Sequence, residues 1–196
     1  METAKRLGVS STPVREAFAA LEREGLLVSS AHKGIVVFEP TLSDLHETYE
    51  IRRLLEGLAV ERAASLMTDA ELQDLNEMYE QMETLDDDRD TSAFVELNRA
   101  FHARIYSVAK MPRLERLIAD LRDASEAYVS MHRSLGRDNA QTSRDHAEIL
   151  EACRQRDGRR AGEATRVHLG HTMDALSRQL QERSPKSPVR VDPRPV

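Results

Sequence analysis

The sequence predicts a mainly α fold in two parts: a short N-terminal unit of two helices with a small β-hairpin, then an all-α antiparallel helical bundle. Three observations carry this. Aromatics are 4% of the 196 residues and Trp is absent, while long segments rich in Ala, Leu, Glu and Arg place apolar residues at helical spacing. Strand-like material is confined to residues 26–38, where Leu26-Leu27-Val28 and Ile35-Val36-Val37-Phe38 flank the polar run Ser29 to Gly34. The chain ends in a segment from Ser184 holding four prolines, which can bury little and is expected to be disordered. Pro40 marks a linker, so the expected units are 1–40, 41–183 and the tail 184–196.

Apolar periodicity predicts helices over 2–7, 13–24, 42–66, 69–84, 92–108, 112–135, 139–156 and 159–182. Ala4, Leu7 and Val9 read as apolar contacts of the first helix and its turn, where Gly8 supplies a positive φ. Thr12 before Pro13 reads as a cap followed by proline at the first helical position. Val14, Ala17, Phe18 and Leu21 form the apolar stripe of the second helix. Thr68 with Glu71 has capping-box spacing, and Asp157-Gly158 separates the last two helices.

Bulk properties narrow the setting. A single cysteine, Cys153, excludes an intrachain disulfide and suits a reducing compartment. No apolar run approaches the roughly 18 residues of a membrane span, and no signal-peptide pattern opens the chain. A cytoplasmic protein that does not enter a membrane is expected. The net charge of −6 is uneven: residues 1–34 hold five Lys/Arg against four Glu, and the rest holds 23 basic against 30 acidic residues. A DNA-binding head on an acidic body is compatible with that split.

Helix, glycine turn, capped helix and hairpin, in that order, suit a winged helix-turn-helix. The second helix would present Ser10, Ser11, Thr12 and Arg15 at its N-terminal end, which enters the major groove in such motifs. Hydroxyls and free amides there suit phosphates, and Arg15 suits a guanine edge. His32 and Lys33, with Gly34 beside them at the hairpin tip, would touch backbone or minor groove. A helical hairpin packed on a ribbon with no nucleic acid is the plainer reading of the same residues.

The run Leu-Gly-Val-Ser-Ser-Thr-Pro-Val-Arg-Glu-Ala at 7–17, then Leu-Glu-Arg-Glu-Gly-Leu-Leu at 21–27, resembles the winged helix of GntR-family regulators, and the likeness extends to Gly34. Family members usually carry arginine at the position of Ser11. The family head begins with a further strand and helix, so Met1 falls within the second family helix. The resemblance therefore implies a partial, truncated head that binds DNA poorly.

In the second part, Asn98 and His102 share one helical face beside Phe94, Leu97, Phe101 and Ile105. His146 stands near Ile149, Leu150 and Cys153, and His168 and His171 lie on the last helix. Convergence of three imidazoles and an amide oxygen would make a divalent-metal site; ordinary hydrogen-bonded core histidines would show the same spacing. Leu-Asn-Arg-Ala-Phe-His at 97–102, Asp-His-Ala-Glu-Ile-Leu-Glu-Ala at 145–152, Val-His-Leu at 167–169 and Tyr-Glu-Ile-Arg-Arg-Leu-Leu-Glu at 49–56 resemble the FCD-type effector domain of the FadR subfamily. Together the two likenesses span about residues 2–180, and the second implies a metal held by Asn98, His102, His146 and His168. Zinc, nickel or manganese would fit. The likeness also implies a small carboxylate effector, a homodimer and a double-stranded DNA operator. Asn in place of the family's Asp removes a negative charge and favours an anionic ligand in the metal's shell. Arg52 is the expected carboxylate partner, unless it pairs with Glu56 within its helix, and His171 lies near enough to contact the effector.

Two rivals are a metal-dependent helical-bundle enzyme and a dimer that binds ligand but, lacking part of its head, not DNA. Against the enzyme, no Glu-x-x-His precedes any of the seven histidines, and His-Glu-x-x-His, Gly-x-Ser-x-Gly and P-loop patterns are absent.

Overall fold

The computed structural model describes residues 2–23, 27–30, 34–37, 41–85, 91–133 and 139–183. Its N-terminal part contains α1 (Glu2–Leu7), α2 (Ser11–Arg23), β1 (Leu27–Ser30) and β2 (Gly34–Val37). Gly8, at φ +66°, ends α1 in a Schellman turn: its N–H donates to the Lys5 carbonyl and that of Val9 to the Ala4 carbonyl. Helix α2 starts at Ser11, two residues earlier than expected. Ser10 thus precedes the helix, while Thr12 and Pro13 both lie in its first turn, where a missing N–H costs no helical bond.

β1 and β2 pair antiparallel from Leu27↔Val37 to Ser30↔Gly34. The ladder therefore takes in Ser29, Ser30 and Gly34, expected in the connection, because each finds an opposite residue. His32 and Lys33, like Leu26, Phe38, Pro40 and the tail 184–196, lie outside the described residues.

The expected apolar contacts of this part are only partly realised. Ala4 is buried, but Leu7 and Val9 are 66% and 47% exposed. Val14, Phe18 and Leu21 are half-buried and Ala17 is exposed. The reason is a shortage of covering elements: α2 packs on α1 and β1, and among the described residues none of these elements touches the bundle.

The bundle comprises α3 (Leu42–Ala64), α4 (Asp69–Glu83), α5 (Thr91–Val108), α6 (Pro112–Arg133), α7 (Asn139–Arg154) and α8 (Gly158–Arg183). Local chemistry fixes the starts. The Thr41 side chain accepts from the Asp44 N–H, and Thr68 and Glu71 form a reciprocal capping box. Pro112 takes the first position of α6. Asp157 caps α8 by accepting from the Arg160 N–H at 3.0 Å. Gly158 is the first residue of that helix rather than part of a separator.

Helix α3 is central, touching α5, α6, α7 and, most extensively, α8. One core gathers Val60, Leu75, Phe101, Ile105, Ile118, Ile149 and Leu150. A second gathers Leu45, Tyr49, Tyr128, Leu169, Leu176 and Leu180. Each such side chain contributes about 1.5–3 kcal/mol by leaving water. Among the described residues no helix is long and apolar enough to cross a membrane.

Candidate metal centre and ligand cavity

Between the two cores lies a cavity of about 360 Å³ whose wall includes Tyr49, Asn98, His102, Arg122, Asp145 and His168. Its histidines arrive from different helices because each lies on the inward stripe of its own. His102 follows Asn98 by one turn on α5 and is flanked by buried Phe101 and Ile105. His146 lies on α7, one turn before Ile149 and Leu150, and His168 on α8 beside Leu169. All three imidazoles are buried.

One nitrogen from each of His102, His146 and His168 falls within 4.8 Å of the others. The Nε2 atoms of His102 and His146 face each other at 3.2 Å. Two nitrogens bound at about 2.1 Å to one tetrahedral ion stand roughly 3.4 Å apart, so the spacing suits a shared ion. Asn98 points the same way: its Oδ1 is buried and has no hydrogen-bond partner among the described residues. A buried amide oxygen left unpaired is costly, and coordination to a cation would satisfy it. These residues could hold a metal ion.

Burial, with the neighbouring histidines, pushes the His102 imidazole well below its ordinary pKa. Burial also lowers His146, with His168 adding to the effect. Both rings are therefore neutral, the form that ligates. Behind the triad, Asp145 accepts from His171 Nδ1 at 2.9 Å and lies 3.3 Å from His168 Nδ1. Burial would raise its carboxyl, but hydrogen bonds from His168, His171 and Gln141 outweigh that and hold it at about 2. This carboxylate–histidine arrangement leaves His168 Nε2 as the inward donor.

Arg52 lines the cavity and also makes the intrahelical pair, with Nε 2.6 Å from Glu56 Oε1. Its guanidinium stacks over the Tyr49 ring at 4.6 Å. Glu56 is fully buried, and its other oxygen accepts from the Tyr106 hydroxyl and lies 3.6 Å from Arg122. Burial alone would raise the Glu56 carboxyl. Arg52 and Arg122, with the hydrogen bonds from Arg52 and Tyr106, bring it below its ordinary value.

His171 is on the cavity rim, its side chain 43% exposed. Asp145 and Arg122 line the cavity but are not among the residues expected from the sequence. The Asp145-His146 dipeptide was a usable signal for the first, whereas nothing in the local pattern of α6 marks Arg122. At the other end of the chain, Ser10, Thr12 and Arg15 are exposed and Ser11 half-buried at the start of α2, with Gly34 opening β2.

Residues 47–171 match the family described as FCD domain, and residues 1–37 match the bacterial regulatory proteins of the gntR family. The chain is 28% identical over 183 residues to the Bacillus subtilis HTH-type transcriptional regulator YdhC, covering 92% of this chain and 81% of that protein. It is 27% identical over 187 residues to the Escherichia coli HTH-type transcriptional repressor RspR, covering 93% and 80%. A solved GntR-family regulator from Pseudomonas syringae superposes with TM-score 0.62 at 31% identity, covering 92% of this chain and 76% of that one. E. coli McbR/YncC shares the fold, with TM-score 0.67 at 23% identity over 91% and 85%. These relatives are transcriptional regulators, not enzymes, and the protein belongs with them to the FCD-domain group of gntR-family bacterial regulators.

Proposed function

We propose that the protein is a cytoplasmic, homodimeric transcriptional regulator whose helical part binds a divalent metal and a small carboxylate that modulates operator binding. Residues 1–40 form the DNA-binding unit and 41–183 the effector-binding and dimerisation unit. Ser10, Ser11, Thr12 and Arg15, with His32, Lys33 and Gly34 of the hairpin, contact double-stranded DNA. Asn98, His102, His146 and His168 hold the ion, which is zinc, nickel or manganese. A bound ion supplies open coordination positions for a carboxylate. Arg52 and His171 contact the same ligand from the cavity wall and rim.

The observation that carries this reading is the convergence of three buried imidazoles at a cavity that Asn98 also lines, its buried oxygen without a hydrogen-bond partner among the described residues. Elemental analysis after divalent-metal loading and desalting tests it, comparing wild type with the His102→Ala, His168→Ala double variant. About one ion per wild-type chain and a loss in the variant are expected. Equal content in the two, or none in the wild type, refutes it.

A further inference from the structure

We infer that the cavity selects a dicarboxylate over a monocarboxylate, with Arg122 as the specificity-determining residue. The inference rests on the metal reading above and follows from the charges that meet at the cavity. Two guanidiniums, Arg52 and Arg122, with side chains 8% and 15% exposed, share the single buried carboxylate of Glu56. Glu56 has little capacity left, since Arg52 occupies one oxygen and Tyr106 the other. This pair of arginines thus retains one net positive charge.

Elsewhere on the wall the charges cancel. Arg99 pairs with Asp123 at 2.5 Å, and Arg178 shares the rim with Asp174 one turn away on α8. The donors to the ion are all neutral, three imidazoles and an amide, so a divalent cation brings its full charge. Asp145, which contacts His168 and His171, offsets half of it. Two positive charges then remain at the inner end of a half-open cavity, against the buried side chains of His102 and Arg52 and the largely buried one of Arg122, where uncompensated charge is expensive. A monocarboxylate neutralises one of them. A dicarboxylate neutralises both, with one carboxylate toward the ion and the other toward Arg122, which is held near Tyr106 at 3.4 Å. A cavity of about 360 Å³ accommodates such a molecule.

Calorimetric titration of the full, metal-loaded chain with succinate and with succinamate, its near-isosteric monoanion, isolates the second charge. Succinate is expected to bind roughly ten- to a hundredfold more tightly, the usual range for a hydrogen-bonded charge. Arg122→Gln should reduce that ratio to within about threefold, and Arg122→Lys should keep most of it, because point charge rather than fork geometry is required. Metal content of the same samples separates the two levels of inference. Absence of metal from the wild type defeats the reading beneath. With metal present, equal affinity for the two ligands, no succinate binding, or a ratio unchanged in Arg122→Gln overturns the dicarboxylate assignment. If Arg122→Gln does not fold, the wild-type ratio and its retention in Arg122→Lys decide, and loss of the ratio in the lysine variant counts against it.

Discussion

Two glycines on facing helices should respond differently to the same substitution. Gly162 of α8 lies against α3, and a β-carbon there would stand 2.8 Å from the Gly57 carbonyl oxygen and 3.0 Å from Glu61 Cβ. Backbone cannot swing aside, so α8 would have to retreat by about 0.5 Å, a gap that forfeits a sizeable part of each contact along the interface. Overpacking of this kind costs about 1–3 kcal/mol, while alanine returns about 0.8–1 kcal/mol in helix propensity. Gly162→Ala is therefore expected to be destabilised by up to about 2 kcal/mol, lowering Tm by up to about 8 °C in a chain of this size. At Gly57 the obstacle is different. A β-carbon there would meet Arg166 Nε at 2.7 Å and Cγ at 2.9 Å, atoms of a flexible side chain. Moving it sacrifices part-exposed ion pairs to Glu61 and Glu163 at 3.4 and 3.2 Å, each worth about 0–1 kcal/mol. Gly57→Ala should thus lie within about 1 kcal/mol of the wild type in either direction. Thermal unfolding followed by far-UV circular dichroism, in chelator to remove any metal contribution, checks both. A Gly162→Ala variant more stable than wild type, or equal losses at the two sites, would refute the close-approach argument.

Asp145→Asn should weaken metal binding about 10- to 100-fold, as loss of an outer-shell carboxylate usually does; competition with a fluorescent chelator measures it, and unchanged affinity would remove Asp145 from that role. The backbone and side chain of Thr68 hydrogen-bond Glu71 and hold its carboxyl below the ordinary value. Its stabilisation is therefore present above the unfolded pKa of about 4.3 and lost as pH falls through the lower folded value. The gap in urea midpoint between wild type and Glu71→Gln should accordingly be widest near neutrality and close in acid. Arg15→Ala, measured by fluorescence anisotropy on an operator identified by selection, should cost about 1–3 kcal/mol and relax one base preference; equal binding across the site would show that Arg15 does not read a base.

The helices were legible because this chain writes them twice, in periodicity and in caps. Thr68 with Glu71 and Gly8 after Leu7 place two of the ends within a residue or so. α2 starts before Pro13 because proline is tolerated throughout a first helical turn, not just at its first position. Leu7 and Val9 read as buried because a sequence shows hydrophobicity but not whether anything covers it. At the candidate centre, Asn98 and His102 on one face were readable from spacing alone. That His146 and His168 meet them depends on the packing of α7 and α8, which the family likeness supplied and periodicity could not. No sequence pattern marks Arg122. Its importance comes from sharing Glu56 with Arg52, a relation between α6 and α3 that no local pattern records.

The most extensive interface in the bundle joins its first helix, α3, to its last, α8. Arg166 and Glu61, which face each other across it, are 105 residues apart in the chain. Such a bundle fastens late during synthesis. Helices α3 to α7 leave the ribosome with one side of α3 still bare, and at about 5–20 residues per second that interval lasts seconds. His168 sits on this final helix, so the triad is completed by the same event that covers α3. For the nascent chain, becoming fully packed and becoming able to bring the three imidazoles together are one step.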